Sequence, residues 1–347
     1  MCGKSFNPKT DIRQASFNFL WAVLFDGYSK SNTSLPTRKF MRHHDVIMET
    51  LSPTSLLHAM PSLLKFPNKW SRPLMESLKS RDEMLLHEYE KSKKIQGETM
   101  QQGRKSAVRS TMDIFVQQMN VAFQLSEVGQ IFTGRDSSDM FSYNHVTQTI
   151  WGLLLAGVDT TSSALEWILL LLAAFPASAD TLRNEISEVL GKRKPSLTDK
   201  SYLPYTVAWL QECLRLSSVV GLCPPHVSDK DFTLGGYTIP QGTPIIINIW
   251  AIHNNSDAWQ DPENFRPARF LDDRGCIRPT WHMPDYLPYS RGTRPCVGAV
   301  LSRSFLFMFL VRFVQKFNIT LMSTLDLESV TRFGQVPKPY TVVITKS

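Results

Sequence analysis

The stretch YSRGTRPCVG at residues 289–298 places Cys296 between Gly292 and Gly298, directly ahead of the apolar segment AVLSRSFLFMFLVRFVQKF at 299–317. That segment predicts a helix, so Cys296 lies at a helix N-terminus. Free backbone N–H groups and the helix dipole there stabilise a thiolate over a thiol. The two glycines permit tight turns and the close approach of a bulky flat ligand. Cys296 is therefore placed as an anion, and a thiolate held this way can ligate haem iron.

The cysteine content argues against other uses of this thiol. The chain has an odd number of cysteines with long, irregular gaps, namely Cys2, Cys213, Cys223, Cys276 and Cys296. This pattern argues against a disulfide framework and against a zinc ribbon. We expect most of these cysteines to be buried, reduced thiols.

Composition indicates a soluble globular protein with ample length for a core. The chain has 347 residues, of which 42% are hydrophobic and 20% charged. The formal net charge is +7, and residues 65–109 hold eleven basic and six acidic side chains. This basic stretch is a solvated helix pair or a surface for anionic lipid or an acidic partner. Nucleic acid is not expected as a partner, because acidic side chains are interspersed among the basic ones and no known nucleic-acid-binding motif accompanies them.

The apolar spacing predicts a fold that is mainly α with a minor β part. Residues 231–249, DFTLGGYTIPQGTPIIINI, have the Gly and Pro punctuation of a short hairpin and small sheet, and the C-terminal tail ends in a strand. Helices are predicted in the segments 17–25, 75–94, 144–174, 178–191, 205–216 and 299–317. Gly191 is predicted to cap the end of the segment 178–191. No internal repeat is found, and residues 1–347 are interpreted as one domain.

The cysteine loop closely resembles the haem-binding loop of the cytochrome P450 monooxygenases, whose usual pattern has Phe where Tyr289 stands here. The resemblance implies that Cys296 ligates the iron of haem b and that Arg294 pairs with a haem propionate. A guanidinium has the geometry for such a pair. Tyr289, Gly292 and Gly298 would complete this part of the cofactor site.

A second match is ECLR at 212–215, which places Glu212 and Arg215 on one face of a predicted helix. Taken alone, this spacing is typical of a surface ion pair. In the family the motif partners an arginine in a later P-x-R-F segment, which is Arg269 here. The resemblance implies a structural network that locks the helix to the segment before the cysteine loop.

A third match is AGVDTT at 156–161, inside the most apolar helix of the chain. One interpretation is a bent core helix whose hydroxyls bond back to the preceding turn. The resemblance instead implies that Gly157 makes room for dioxygen over the iron, and that Asp159 and Thr160 relay protons to it. The acids within residues 151–175 favour a buried core helix over a membrane span.

Stretches after residue 197 resemble the animal microsomal branch of the family, which oxidises drugs, steroids and fatty acids. His226 matches a position that contacts a propionate in that branch, although a histidine after two prolines is otherwise an ordinary loop residue. The resemblance runs from about residue 17 to the end. We therefore expect an N-terminally truncated form of the fold that lacks the membrane anchor, the first sheet strands and the early helices.

The leading hypothesis is a haem-dependent monooxygenase that inserts one atom of dioxygen into an apolar steroid, fatty acid or xenobiotic. The resemblance implies a flavoprotein reductase as electron donor and allows cytochrome b5 as a further partner. The alternative is a non-catalytic truncated isoform that does not hold haem productively. A haem-thiolate isomerase is disfavoured, because the residues Gly157, Asp159 and Thr160 are all present.

Family members lie at the endoplasmic reticulum membrane, but a chain without the anchor is expected to be peripheral or cytoplasmic. Residues 56–70, LLHAMPSLLKFPNKW, mix apolar and basic side chains and match a region that touches the lipid surface in microsomal relatives. This mixture favours weak contact with a membrane surface.

Overall fold

The computed structural model describes residues 3–25, 35–51, 55–66, 68–101, 108–118, 142–331 and 334–347 of the chain. The α-helices are α1 (Lys9–Phe25), α2 (Leu35–Leu51), α3 (Leu56–Ala59), α4 (Ser71–Gln101), α5 (111–118), α6 (Tyr143–Ala174), α7 (Pro176–Leu190), α8 (Pro204–Ser217), α9 (Ile249–His253) and α10 (Ala299–Lys316). The strands are β1 (Ser5–Phe6), β2 (His226–Val227), β3 (Phe232–Leu234), β4 (Tyr237–Ile239), β5 (Pro244–Ile245), β6 (Phe317–Leu321), β7 (Ser329–Thr331), β8 (Gln335–Pro337) and β9 (Val342–Lys346). The prediction of a mainly α chain with a minor β part is confirmed.

Local sequence signals account for several helix ends. Pro176 and Pro204 stand in the first turns of α7 and α8, where a missing backbone N–H is tolerated. Gly191 caps α7 with a φ of +54°, and its N–H donates to the Ser187 carbonyl. The predicted glycine cap is therefore observed.

The chain divides into two compact units, a first unit of Met1–Ile12 with Thr160–Ser347 and a second unit of Arg13–Asp159. Helices α1 and α6 each begin in one unit and end in the other. The interpretation of the chain as one domain stays a prediction.

The core of the first unit is built from α7, α8, α10 and the C-terminal part of α6. Leu165, Ile168 and Leu310 are fully buried in it. Trp167 Nε1 donates to the Gln335 carbonyl, and the Tyr340 hydroxyl donates to the Glu166 carbonyl. These bonds satisfy the polar ends of large rings that would otherwise be buried without partners.

The strands of the first unit form small antiparallel sheets. Strand β9 lies between β1 and β6, whereas β2 pairs with β5 and β7 with β8. Strands β3 and β4 form the predicted hairpin, and its turn residues Gly235 and Gly236 both have positive φ. A two-residue hairpin turn requires this conformation, which explains the Gly-Gly pair.

Among its described residues the second unit has helices and no strands, and it packs around aromatic side chains. The Phe17 and Phe40 rings lie 4.6 Å apart, and Phe40 meets Trp151 edge to face at 5.6 Å. Helix α2 is joined to α4 by a hydrogen bond of 3.0 Å between His43 Nδ1 and Ser77 Oγ. The core therefore links α1, α2 and the N-terminal part of α6.

Helix α6 is the one described helix that is long and apolar enough to cross a membrane. About two thirds of its most apolar window, 67%, is buried inside the protein. A helix covered to this extent by its own chain has the environment of a core helix, as its internal acids Asp159 and Glu166 predict.

Candidate functional site

The loop at residues 289–298 is closed by a hydrogen bond of 2.9 Å from the Cys296 N–H to the Tyr289 carbonyl. The Ala299 N–H donates to the Cys296 carbonyl at 3.2 Å, and α10 begins at Ala299. Gly292 has a φ of +91°, a conformation that side chains with a Cβ rarely adopt. The loop thus holds Cys296 one short turn before a helix, where the sequence predicted it.

Tyr289 joins the loop to α10. Its hydroxyl lies 3.1 Å from Ser302 Oγ, and the Arg303 guanidinium stacks over its ring at 4.6 Å from the centroid. Burial raises the pKa of the Tyr289 hydroxyl, so the ring is neutral at physiological pH. These contacts fix the near end of the cysteine loop against the helix that follows it.

The described cysteines differ in their environments, and half of them are exposed. Cys213 and Cys223 are buried, whereas Cys276 and Cys296 are exposed. Burial, together with the charge of nearby Glu212, raises the pKa of the Cys213 thiol and keeps it protonated. The expectation that most cysteines are buried is therefore wrong for the described residues, and Cys2 lies outside them.

Exposed apolar side chains follow Cys296 in the chain. Val297 is 85% exposed and Val300 is 77% exposed, although both are large hydrophobic residues in an ordered segment. Leu222 is also exposed, and its neighbour Cys223 contacts the loop through a 4.0 Å approach of its Sγ to Ser290 Oγ. Large apolar side chains left exposed next to a thiol in the chain favour a binding site for a flat apolar group.

Two basic side chains of the first unit, Arg294 and His226, are also exposed. Arg294 is exposed within the loop, and His226 is exposed on β2. His226 Nε2 lies 3.9 Å from the Cys223 Sγ, the same sulfur that approaches Ser290. The structure therefore places His226 near the cysteine loop. The contacts of His226 and Arg294 with haem propionates stay predictions.

These residues fit a haem. Among the described residues there is no group of three or more His, Cys, Asp or Glu side chains that could hold a metal ion. A single thiolate suits a metal whose remaining ligands come from a macrocycle, because one protein ligand does not complete a coordination sphere. The exposed valines suit the apolar ring, and Arg294 and His226 suit its carboxylates.

The Glu212 and Arg215 pair lies at the centre of a buried network. Arg215 Nε donates to Glu212 Oε2 at 2.7 Å, and Arg269 Nε donates to Glu212 Oε1 at 2.9 Å. Arg215 also donates to the carbonyls of His253 and Pro262, at 2.7 Å each. Because Glu212 and Arg215 are fully buried, the alternative of a surface ion pair is wrong.

His253 is a site-supporting residue that sequence reasoning missed. Its Nδ1 lies 2.8 Å from Ser218 Oγ, and its Nε2 accepts the Leu287 N–H at 2.9 Å. It therefore joins the end of α8 to the segment that enters the cysteine loop. Burial, together with the positive charge of Arg215, lowers the pKa of His253 to about 4. A lone histidine after a short apolar run carries no spacing signal that could have identified it.

The AGVDTT motif lies in α6, with Gly157 and Asp159 in the second unit and Thr160 in the first. A Cβ at Gly157 would lie 2.8 Å from Leu20 Cδ1, so the close approach of α1 is one reason for glycine there. Asp159 contacts Arg13 and His44 of the second unit. The roles of Gly157, Asp159 and Thr160 toward dioxygen stay predictions.

A surface pocket of about 380 Å³ lies on the first unit beside the loop. Trp281, Arg291 and Arg303 are among its lining residues. Arg291 is held by hydrogen bonds to the Thr280 and Met283 carbonyls, so its charge is fixed in place. The pocket combines an exposed aromatic ring with two cations.

Comparison with known proteins gives a family match over residues 1–344 to the model described as Cytochrome P450. Steroid 17-alpha-hydroxylase/17,20 lyase of Rattus norvegicus is 30% identical over 99% of this chain and 66% of that protein. The Gallus gallus protein of that name is 34% identical over 84% of this chain and 54% of its own length. The Homo sapiens protein of that name is 30% identical over 96% of this chain and 63% of its own length. The chain thus spans between about half and two thirds of these relatives.

Proposed function

Because the chain belongs to the cytochrome P450 family, we propose that it is a haem-dependent monooxygenase acting on an apolar substrate of the steroid class. The observation that carries the proposal is the exposed Cys296 immediately before α10, with exposed Arg294, Val297 and Val300 next to it in the chain. The steroid class rests on the names of the relatives, which are steroid hydroxylases.

Cys296 would be the axial ligand of the haem, as a thiolate stabilised by the N-terminus of α10. Val297 and Val300 would cover the apolar ring, while Arg294 and His226 would each donate to a propionate. The haem, when bound, supplies dioxygen binding and its reductive activation. The network of Glu212, Arg215 and Arg269 would keep the loop in the geometry that this ligation needs.

Asp159 and Thr160 would deliver protons at the substrate side of the site. A carboxylate can accept and return a proton, and a hydroxyl can pass one on while donating its own. Both side chains are half-buried on consecutive positions of α6. Gly157, one turn earlier, would leave α6 without a side chain at the position nearest dioxygen.

An electron donor with an acidic surface would bind the first unit at the pocket of Trp281, Arg291 and Arg303. The formal net charge of +7 favours such a partner. A flavoprotein reductase is the donor that this chemistry requires, and cytochrome b5 would compete for the same cations. An exposed tryptophan adds an apolar anchor to the charged rim.

A membrane surface would bind the second unit at residues 56–70. Phe66 is 72% exposed, and Met60, Leu64 and Trp70 are exposed as well. Lys65 and Lys69 lie among them and are also exposed. Apolar side chains flanked by lysines favour contact with anionic headgroups, which is consistent with a location at the endoplasmic reticulum membrane.

The absorbance spectrum of the reduced protein with carbon monoxide tests the haem-thiolate assignment. Protein expressed with added haem is expected to show the red-shifted Soret band of a thiolate-ligated ferrous carbonyl. Cys296→Ser removes the proposed ligand and is expected to abolish this band. Cys276→Ser is the matched control, because it removes the other exposed thiol of the described residues. A wild-type protein that retains no haem, or a Cys296→Ser protein that keeps the band, would leave the non-catalytic isoform as the better description.

A further inference from the structure

A cluster of four polar side chains joins three helices of the second unit. Arg13 of α1 lies at its centre, and its Nη2 donates a hydrogen bond to Asp45 Oδ1 of α2. The same nitrogen lies 2.9 Å from His44 Nδ1 and 3.5 Å from Asp159 Oδ1 of α6. Asp159, the proposed proton-delivering acid, is therefore held by residues that lie more than a hundred positions away in the sequence.

The contact with Arg13 determines which nitrogen of His44 carries the ring proton. A guanidinium has N–H donors and no acceptor, so His44 Nδ1 must accept at 2.9 Å. Asp45 Oδ1 is 3.7 Å from the same nitrogen, too far to be its hydrogen-bond partner. The neutral ring consequently carries its proton on Nε2.

The Nε2 atom of His44 faces Asp159. It lies 3.8 Å from Asp159 Oδ2, and among the described residues it has no hydrogen-bond partner. The His44 side chain is 0% exposed, so water at the protein surface does not satisfy this donor. An unpaired buried N–H is unfavourable, and closing the gap by about 1 Å would complete a normal hydrogen bond.

We propose that His44 is a positioning residue for Asp159, in which Nε2–H donates to Oδ2 while the positive charge of Arg13 attracts Oδ1 and its Nη2 donates to the imidazole Nδ1. A donor at Oδ2 and a cation near Oδ1 favour one orientation of the carboxylate on α6. This inference rests on the proposed function, because Asp159 is the residue that function uses to deliver protons.

Asp45 is the second carboxylate that contacts Arg13. Burial alone would raise the pKa of Asp45, but its hydrogen bond and ion pair with Arg13 act in the opposite direction and contribute to a lowered pKa. Asp45 is therefore ionised at neutral pH and pairs with Arg13. The Arg13 guanidinium thus faces two carboxylates, those of Asp45 and Asp159.

Nitrogen-15 NMR of the histidine rings in the intact chain tests the proposed tautomer without haem chemistry. We expect the His44 ring to show a protonated Nε2 and an unprotonated Nδ1. Arg13→Leu removes the donor to Nδ1 and is expected to shift the ring toward a mixture of tautomers. A wild-type ring with its proton on Nδ1, or one protonated at both nitrogens, would overturn the proposal.

A double-mutant cycle tests the contact itself. His44→Leu, Asp159→Asn and the double variant are compared by their equilibrium constants for unfolding in urea. We expect the effects of the two single substitutions to be non-additive by fivefold or more, because either one breaks the same hydrogen bond. Additivity within twofold would contradict the proposal.

Turnover with a reductase tests the consequence for proton delivery, provided that the carbon monoxide band is present. His44→Gln keeps an N–H donor near the Nε2 position and is expected to retain the wild-type share of electrons recovered in product. His44→Leu is expected to divert at least threefold more electrons to hydrogen peroxide with an unchanged Soret band. His145→Leu, which alters an exposed histidine bonded to Ser142, is the control and should match the wild type.

The two proposals can fail separately. A wild-type protein without the carbon monoxide band refutes the proposed function. In that case the nitrogen-15 NMR measurement and the double-mutant cycle still test whether His44 holds Asp159. A normal band with equal peroxide release in His44→Leu and wild type refutes the positioning role alone.

Discussion

At the scale of single residues, the first unit contains buried charged side chains that are paired and hydrogen-bonded to one another. Arg215 is fully buried and donates to both oxygens of Glu212 and to the carbonyls of His253 and Pro262. Glu212 in turn accepts from Arg269. Burial of a charge is costly unless it is paired and hydrogen-bonded, so each member depends on the others.

Removal of Glu212 is expected to destabilise the protein strongly. Glu212→Ala leaves Arg215 buried without its counter-charge, and a loss of about 3–5 kcal/mol in the free energy of unfolding is expected. Glu263→Ala removes an exposed carboxylate nearby and is expected to change this free energy by less than about 0.5 kcal/mol. Urea denaturation measures both, and equal effects would contradict a buried network.

His253 is expected to make stability depend on pH. The pKa of His253 is lowered from 6.5 to about 4 in the folded protein, so the unfolded chain takes up the proton first as the pH falls. Stability is therefore full above about pH 6.5 and is lost between about pH 6.5 and 4, by about 3 kcal/mol for this group. His253→Gln should flatten this part of the pH profile measured by thermal unfolding. An unchanged slope in the variant would assign the effect to other groups.

At the scale of elements, the cysteine loop and α6 each contain a glycine, Gly292 and Gly152, but the two have different backbone conformations. Gly292 has a φ of +91°, and no atom lies within 4 Å of the position of a Cβ. Gly152 lies within α6 with ordinary helical φ, and it too has open space at that position. Backbone conformation, not side-chain crowding, distinguishes the two sites.

The same substitution at these two glycines is expected to have opposite effects. Gly292→Ala forces a Cβ into the left-handed region and should lower the free energy of unfolding by about 1–2 kcal/mol. Gly152→Ala should raise it by up to about 1 kcal/mol, because alanine has the higher helix propensity. Thermal unfolding of the two variants tests this, and shifts of the same sign would be contrary to the loop geometry.

At the scale of the whole molecule, each unit exposes a different candidate surface. The first unit carries the exposed cysteine with its apolar surroundings and the basic pocket of Arg291 and Arg303. The second unit carries the exposed apolar residues of 56–70. The proposed contact with an electron donor therefore lies on the first unit, and the proposed contact with a membrane lies on the second.

Charge reversal at the pocket is expected to slow electron transfer. Arg291→Glu with Arg303→Glu should reduce the second-order rate of reduction by a flavoprotein reductase about tenfold at low salt, with less effect at high salt. Lys192→Glu with Lys194→Glu makes the same change in net charge at exposed positions away from the pocket and is the control. Equal slowing in both variants would indicate a general charge effect in place of a docking site.

The sequence alone determined the features that depend on neighbouring residues. The helix segments, the Gly-Gly hairpin, the glycine cap of α7 and the cysteine loop ahead of α10 were all predictable, because periodicity, turn residues and short motifs are local properties. The family followed from those motifs in their order. The cytochrome P450 fold and the position of Cys296 therefore follow from the order of residues along the chain.

Only the tertiary structure showed which polar residues are buried and which partners they contact. It showed that Glu212 and Arg215 are buried, that His253 joins α8 to the cysteine loop, and that Arg13 and His44 meet Asp159. These contacts join residues tens to more than a hundred positions apart. The spacing of a charged residue along the chain does not specify whether packing will bury it or which donor will face it, because both follow from how distant helices pack together.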